Sequence, residues 1–154
     1  MTDGSTVELW DGWSLRLPTP CQTTRNDDGS WSAWDEHHVV DLSIIEVGGM
    51  QGGGDVSPTE MLGEAASLPQ HQLDGAIVTI SSDTETTDTA DGPQPITWTR
   101  VNAAAPNTAL MMSVGNTGES DVTWHEALWR SIRYQPPSRG RLASVVGDVA
   151  AARQ

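Results

Sequence analysis

Apolar residues fall at odd positions along the start of the chain, at Val7, Leu9, Trp13, Leu15 and Leu17. A period of two predicts a strand with one buried face over residues 7–18, with Asp11-Gly12 as a bend or bulge inside it and Pro18 ending the pairing. Asn26-Asp27-Asp28-Gly29 is a turn sequence and predicts a hairpin. The strand after it, Ser30 to His38, carries Trp31 and Trp34, which point to opposite faces because strand side chains alternate. From Val39 to Val47 both faces are apolar, with Val40, Leu42 and Ile44 on one and Val39, Ile45 and Val47 on the other. A strand buried on both sides belongs near the middle of a sheet.

The glycine-rich run from Gly48 to Asp55 reads as a flexible connection. Ser57-Pro58-Thr59-Glu60 then starts a helix, with Ser57 as cap, Pro58 in the first turn and Glu60 as the capping-box partner. Met61, Leu62, Ala65 and Leu68 give that helix its apolar stripe, and Pro69 stops it. Asp74-Gly75 opens a strand over Ala76 to Ser81, after which the polar stretch from Ser82 to Pro95 is expected to be a long acidic excursion. Ile96 to Ala104 and Ala109 to Gly115 pair as a hairpin through Ala105-Pro106-Asn107-Thr108. A second helix runs from about Asp121 to Arg133, with His125, Leu128, Trp129 and Ile132 on one face and Asp121 or Ser120 as cap.

Strands around two helices predict an α+β domain over residues 1–135, an antiparallel β-sheet flanked by helices. Pro136-Pro137-Ser138 marks its end. In the tail, residues 136–154, Leu142, Val145, Val146 and Val149 recur at helical spacing and predict a short amphipathic helix. It packs on the domain or on another chain, which makes a homo-oligomer through this helix one reading.

Charge narrows the partners. The 154 residues carry a formal charge of −13 with no lysine at all. That charge repels phosphate backbones and anionic membrane surfaces, so neither nucleic acid nor membrane insertion is expected. The absence of lysine removes a P-loop, a Schiff-base lysine and a Ser-Lys dyad. Cys21 is the single cysteine, so no internal disulfide forms. The first residues lack a basic and apolar leader pattern, and no apolar run is long enough to span a membrane, so a cytoplasmic location is expected.

Asp35-Glu36-His37-His38 is the most metal-like cluster, although a strand would split it into two pairs, Asp35 with His37 and Glu36 with His38. Zinc wants three or four protein ligands, so no metal or other cofactor is assigned. His125 sits in the apolar stripe of the second helix near Ser113 or Ser131 in composition only. No Gly-x-Ser-x-Gly elbow accompanies it, and a buried histidine satisfied by a backbone carbonyl is expected. The stronger signal is the aromatic load, seven Trp with no Phe. Trp31, set between two serines, is expected to be exposed, and an exposed Trp commonly anchors a protein contact.

Three stretches taken in order resemble the PsbP-like group, which includes DcrB-like and LpqN-like bacterial proteins. They are Gly12-Trp13-Ser14-Leu15-Arg16-Leu17-Pro18, Ser57-Pro58-Thr59-Glu60-Met61-Leu62 and Leu128-Trp129-Arg130-Ser131-Ile132-Arg133. The resemblance covers about residues 7–135 and implies an α/β sandwich and a non-catalytic adaptor, with no catalytic residues to transfer. The expectation is therefore a cytoplasmic protein-binding adaptor or chaperone-like module, with a secreted or membrane-associated protein as one kind of partner. Its contact residues are Trp31, Trp34, Met111 and Met112, with Leu142, Val145, Val146 and Val149 in the tail. The alternatives are a small metal-dependent hydrolase built on Asp35, His37 and His38, and a self-assembling structural subunit.

Overall fold

The computed structural model describes residues 6–47, 56–118 and 120–136. The predicted linker at 48–55 and the predicted tail helix with Leu142, Val145, Val146 and Val149 lie outside the described residues. In chain order the elements are β1 (Thr6–Glu8), β2 (Trp13–Arg16), β3 (Gln22–Arg25), β4 (Trp31–Trp34) and β5 (His38–Glu46). Then come α1 (Pro58–Leu62), a 3-10 turn (Gly63–Ser67), β6 (Gln70–Leu73), β7 (Ala76–Thr89), β8 (Gly92–Ala105), β9 (Thr108–Thr117), α2 (Val122–Arg130) and β10 (Arg133–Tyr134).

Seven strands form one antiparallel sheet in the order β3-β4-β5-β9-β8-β7-β6, and β1-β2-β10 form a second, three-stranded sheet. The strand residues that alternate onto one face, among them Ala33, Val40, Leu42, Val101, Leu110, Met112 and Val114, are buried in a single cluster with Trp13, Leu15 and Leu17 of the small sheet. Trp124, Leu128 and Trp129 of α2 join the same cluster. One face of the large sheet is thus covered by the small sheet and α2. On the other face α1 packs against β8 and β9, where Ala104 and Ala109 are buried. Among the described residues no element covers the remainder of that face, so an antiparallel sheet flanked by helices overstates the helical layer: the helices among the described residues are two short ones and a 3-10 turn.

Local sequence explains most of these elements. The capping box is complete, Ser57 Oγ accepting from Glu60 N and the Glu60 carboxylate accepting from Ser57 N. The α-helix then tightens into the 3-10 turn after Leu62 instead of running to Leu68 as α-helix. Asp11-Gly12 is a full turn, since both residues take positive φ, 58° and 94°. They reverse the chain between β1 and β2, so residues 7–18 are two strands and not one. The Asn26–Gly29 hairpin closes as expected, with Asn26 N donating to Ser30 O and Gly29 in the left-handed region at φ 91°.

The largest departure is the acidic excursion. Ser82 to Pro95 continues β7 and β8 into a long two-stranded ribbon, paired residue by residue out to Thr89 and Gly92. Threonines at 84, 86, 87 and 89 supply β-propensity that the carboxylates mask in a reading by polarity. Beyond Ile96 and Thr117, β8 pairs only with β7, so this end of the ribbon has no core behind it. The short β6 was not expected, and α2 ends at Arg130 because Ser131 caps it and Arg133 enters β10.

Candidate binding surface

Asp35-Glu36-His37 is a turn between β4 and β5, not part of a strand, and Asp35 makes it so. Its Oδ1 accepts from the amides of His37 and His38, both at 2.8 Å. The turn carries His38 back so that its Nδ1 lies 2.9 Å from Asp35 Oδ1, while its Nε2 lies 2.9 Å from Asp121 Oδ2, the N-cap residue of α2. The His38 ring also stacks on Trp124, with centroids 4.0 Å apart and planes 9° off parallel. Trp124 Nε1 donates to Thr19 Oγ1 at 3.0 Å, and Thr19 Oγ1 donates to Asp35 Oδ2 at 2.9 Å. Thr19, Asp35, His38, Asp121 and Trp124 therefore close a ring of contacts that binds α2 to the β4–β5 turn.

The same contacts set how the Asp35, His37 and His38 side chains are disposed. Both ring nitrogens of His38 face carboxylate oxygens, so neither presents a lone pair to an open coordination position. His37 points the other way into solvent, 3.9 Å from Glu36. Among the described residues no group of three or more His, Cys, Asp or Glu side chains converges as a metal site. The sequence pairing of Asp35 with His37 gives way to Asp35 with His38, because the segment turns where alternation assumed a strand.

Burial raises the Asp35 carboxyl, but hydrogen bonds from the His37 amide, the His38 ring, the Thr19 hydroxyl and the His38 amide outweigh it and leave it below the ordinary carboxylate range. His125 is fully buried, its Nδ1 2.7 Å from Thr99 Oγ1 rather than from a backbone carbonyl, and its Nε2 has no partner. Burial lowers its pKa, Asp121 opposes that, and His38 adds to it. At Cys21, burial raises the thiol pKa, the Asp35 charge adds to it, and the Thr19 hydrogen bond opposes it.

These directions fix an acid response. A histidine whose folded value lies below the ordinary 6.5 contributes full stability above that pH, and the contribution declines as the pH falls below it. Asp35 adds a second loss further down, beginning near the ordinary 3.8 and completed through its lowered folded value. Urea unfolding at pH 7.5 and 5.5 is expected to show lower stability at pH 5.5. His125→Gln, which still faces Thr99, is expected to flatten the slope in that interval; an unchanged slope would move the acid response to another group.

The predicted contact residues separate by face. Trp31 pairs with Leu42 and is buried, 7% exposed, so it is core and not the exposed anchor expected from its serine neighbours. Met112 is likewise buried. Trp34 and Met111 are 37% and 38% exposed, and both lie on the uncovered face of the sheet. Ile45, which the sequence reading had not singled out as a contact, is 43% exposed on that same face. Trp98 belongs there too. In register Trp34, Val39, Gly115 and Trp98 form one row across four strands, and a Cβ at Gly115 would stand 2.7 Å from the Trp98 ring. The missing side chain lets that ring lie flat on the sheet, with Trp98 Nε1 donating to Glu85 at 2.9 Å. Between this aromatic end and the Ile45–Met111 end lies a groove of about 440 Å³ lined by polar residues including Asp28, Asp41, Ser43, Arg100 and Asn102.

No protein-family model matches the chain, and no curated protein sequence does. A crystal structure from Bacteroides thetaiotaomicron is similar in fold, with a TM-score of 0.65 at 12% identity, over 88% of this chain. The chain spans half the length of that protein. Among the described residues, no helix is long and apolar enough to cross a membrane.

Proposed function

We propose that this chain is a non-catalytic protein-binding module, of adaptor or chaperone-like use, whose contact surface is the uncovered face of the seven-stranded sheet. One observation carries the reading. Of the four large apolar side chains exposed among the described residues, Trp34, Ile45 and Met111 share that face, and only Val122 lies elsewhere. Scattered exposed apolar residues are ordinary, but a shared face is the mark of a contact surface. Trp34 supplies a rigid anchor and Met111 an adaptable one. Along β5 the face from Val39 to Ile45 spans about 20 Å at strand rise, the scale of a protein partner. The charge of −13 favours a partner whose apolar residues are framed by basic ones. The resemblance to PsbP-like adaptors supports the same use.

Photo-crosslinking residues placed at 34, 45 and 111 test it in cells. The same partner is expected to be captured from all three, and not from exposed Glu126 on α2. Trp34→Ala and Met111→Ser should each weaken that partner's binding about tenfold while leaving thermal unfolding unchanged, as expected for contact residues. Equal capture from position 126, or loss of folding in both variants, would overturn the reading.

A further inference from the structure

The large sheet has an edge next to Trp34, and that edge differs from the others. An exposed edge offers a row of unpaired backbone groups, which proteins blunt with charges, prolines or very short strands. The free part of β7 carries Asp83, Glu85 and Asp88, and the free part of β8 carries Pro93 and Pro95. Pro69 directly abuts β6, which has the same four-residue length as β3, and β1 and β10 are shorter still. In β3, Gln22-Thr23-Thr24-Arg25, all four residues are exposed, with neither acid nor proline among them. Its one charge is drawn aside, since the Arg25 guanidinium lies 3.8 Å over the Trp10 ring.

The ladder shows which groups are open. Asn26 N donates to Ser30 O at 2.8 Å, and Gly29 N donates to Asn26 O at 3.0 Å. Antiparallel pairs alternate between hydrogen-bonded and non-bonded, so the next bonded pairs are Thr24 with Ser32 and Gln22 with Trp34. Thr23 and Arg25 consequently turn their N–H and C=O groups to the free side.

We propose that β3 is a docking edge for an extended, basic segment of a partner protein, which adds as a further strand and sends a basic side chain to Trp34. The segment's backbone pairs with Thr23 and Arg25, and the side-chain selection comes from a neighbouring hollow. That hollow, about 550 Å³, is lined by Pro20, Cys21, Gln22, Trp34, Asp35 and Glu36. A residue opposite Gln22 faces the same side as Trp34, two strand spacings away, or about 10 Å. An arginine there meets the Trp34 ring and the exposed Glu36 carboxylate together. A second copy of this chain fits worse, because it brings another −13 and its own Asp27-Asp28 turn to the same edge. The inference relies on Trp34 as a contact residue, and it needs neither Ile45 nor Met111.

The probe is a capped hexapeptide alternating Val or Thr with Arg, added to the full chain; the control replaces each Arg by Glu. Amide hydrogen exchange is expected to slow at Thr23 and Arg25 with the basic peptide and not with the acidic one. Thr23→Pro, which removes an outward N–H and leaves the β4 pairing intact, should weaken the basic peptide about tenfold. Trp34→Ala should weaken it severalfold, while Met111→Ser leaves it unchanged, so this site and the face contact fail separately. Exchange protection at Ser81–Thr89 instead of β3 would overturn the proposal, as would equal protection by the acidic peptide. A doubling of mass in sedimentation without peptide, with β3 amides already protected, would overturn it in favour of self-association. Because the exchange result comes from the unaltered chain, it decides the matter even if the proline variant fails to fold.

Discussion

Trp13→Ala is expected to destabilise the domain by about 3–5 kcal/mol, the usual cost of deleting a large aromatic ring from a packed core. Trp13 is 1% exposed, and it joins parts of the chain far apart in sequence: its Nε1 donates to Thr108 Oγ1 at 3.0 Å across 95 positions. Its ring also lies 4.8 Å from that of Tyr134 in β10. Deletion leaves a void between the two sheets and strands the buried Thr108 hydroxyl without its donor. Trp13→Phe separates the two terms, keeping most of the apolar volume while losing the hydrogen bond, and should cost about 1–2 kcal/mol plus a smaller cavity term. Trp34→Ala serves as the reference and is expected to change stability by less than about 0.5 kcal/mol, as for most surface positions. Urea unfolding of the three variants checks the order. A Trp13→Ala cost no larger than that of Trp34→Ala would mean that the small sheet is held elsewhere.

That contrast between two tryptophans also shows what the sequence could reveal. The capping box at Ser57 and Glu60, the Asn26–Gly29 turn and the buried stripe of α2 were legible because each depends on residues within a few positions of one another. Which face a strand residue takes toward the core depends on pairing with distant strands. Trp31 sits between serines, yet it is core because Leu42 stands opposite it on the covered face. Serine neighbours carry no information on this, since alternate residues of a half-buried strand are polar in either case. The clasp was hidden for the same reason. Asp121 is visible as a helix cap, but its contact with His38 spans 83 positions. Asp35 turned a segment that reads as alternating into a bend by capturing two amides at once. The ribbon was missed because its carboxylates suggested a loop, whereas the main-chain ladder and the threonines keep it extended.

The proposed contact surface follows the same division. The covered face fixes the domain, and the residues offered for contact are those the fold leaves over on the other side. The clasp connects the two. Asp35 follows Trp34 directly and is tied through His38 to Asp121 on α2, so the turn beside the exposed anchor is anchored on the core side. In the proposed contact, a rigid support of this kind would lower the entropy lost on burying Trp34.

Gly75→Ala should be the second severe substitution, at about 2–4 kcal/mol, although it adds a single methyl group. Gly75 turns the chain between β6 and β7 with φ at 85°, where an L side chain alone costs about 1 kcal/mol. Its Cβ would also stand 1.9 Å from the Tyr134 carbonyl oxygen and 3.0 Å from the Tyr134 carbonyl carbon. Both are backbone atoms, so no rotamer relieves the overlap and β10 itself must move. That movement breaks the bond from Tyr134 N to Asp74 O at 3.0 Å and disturbs the one from Gln135 N to Gly12 O at 2.9 Å. It also pulls the Tyr134 ring from Trp13. Gly29→Ala provides the control, because Gly29 has a similar φ of 91° but nothing within 4 Å of its would-be Cβ. It should lose only the conformational part, about 1 kcal/mol. Thermal or urea unfolding of both variants therefore isolates the close approach of β10. Equal losses would show that β10 gives way freely, and the small sheet would then rest on the β1–β2 pair and Trp13 alone.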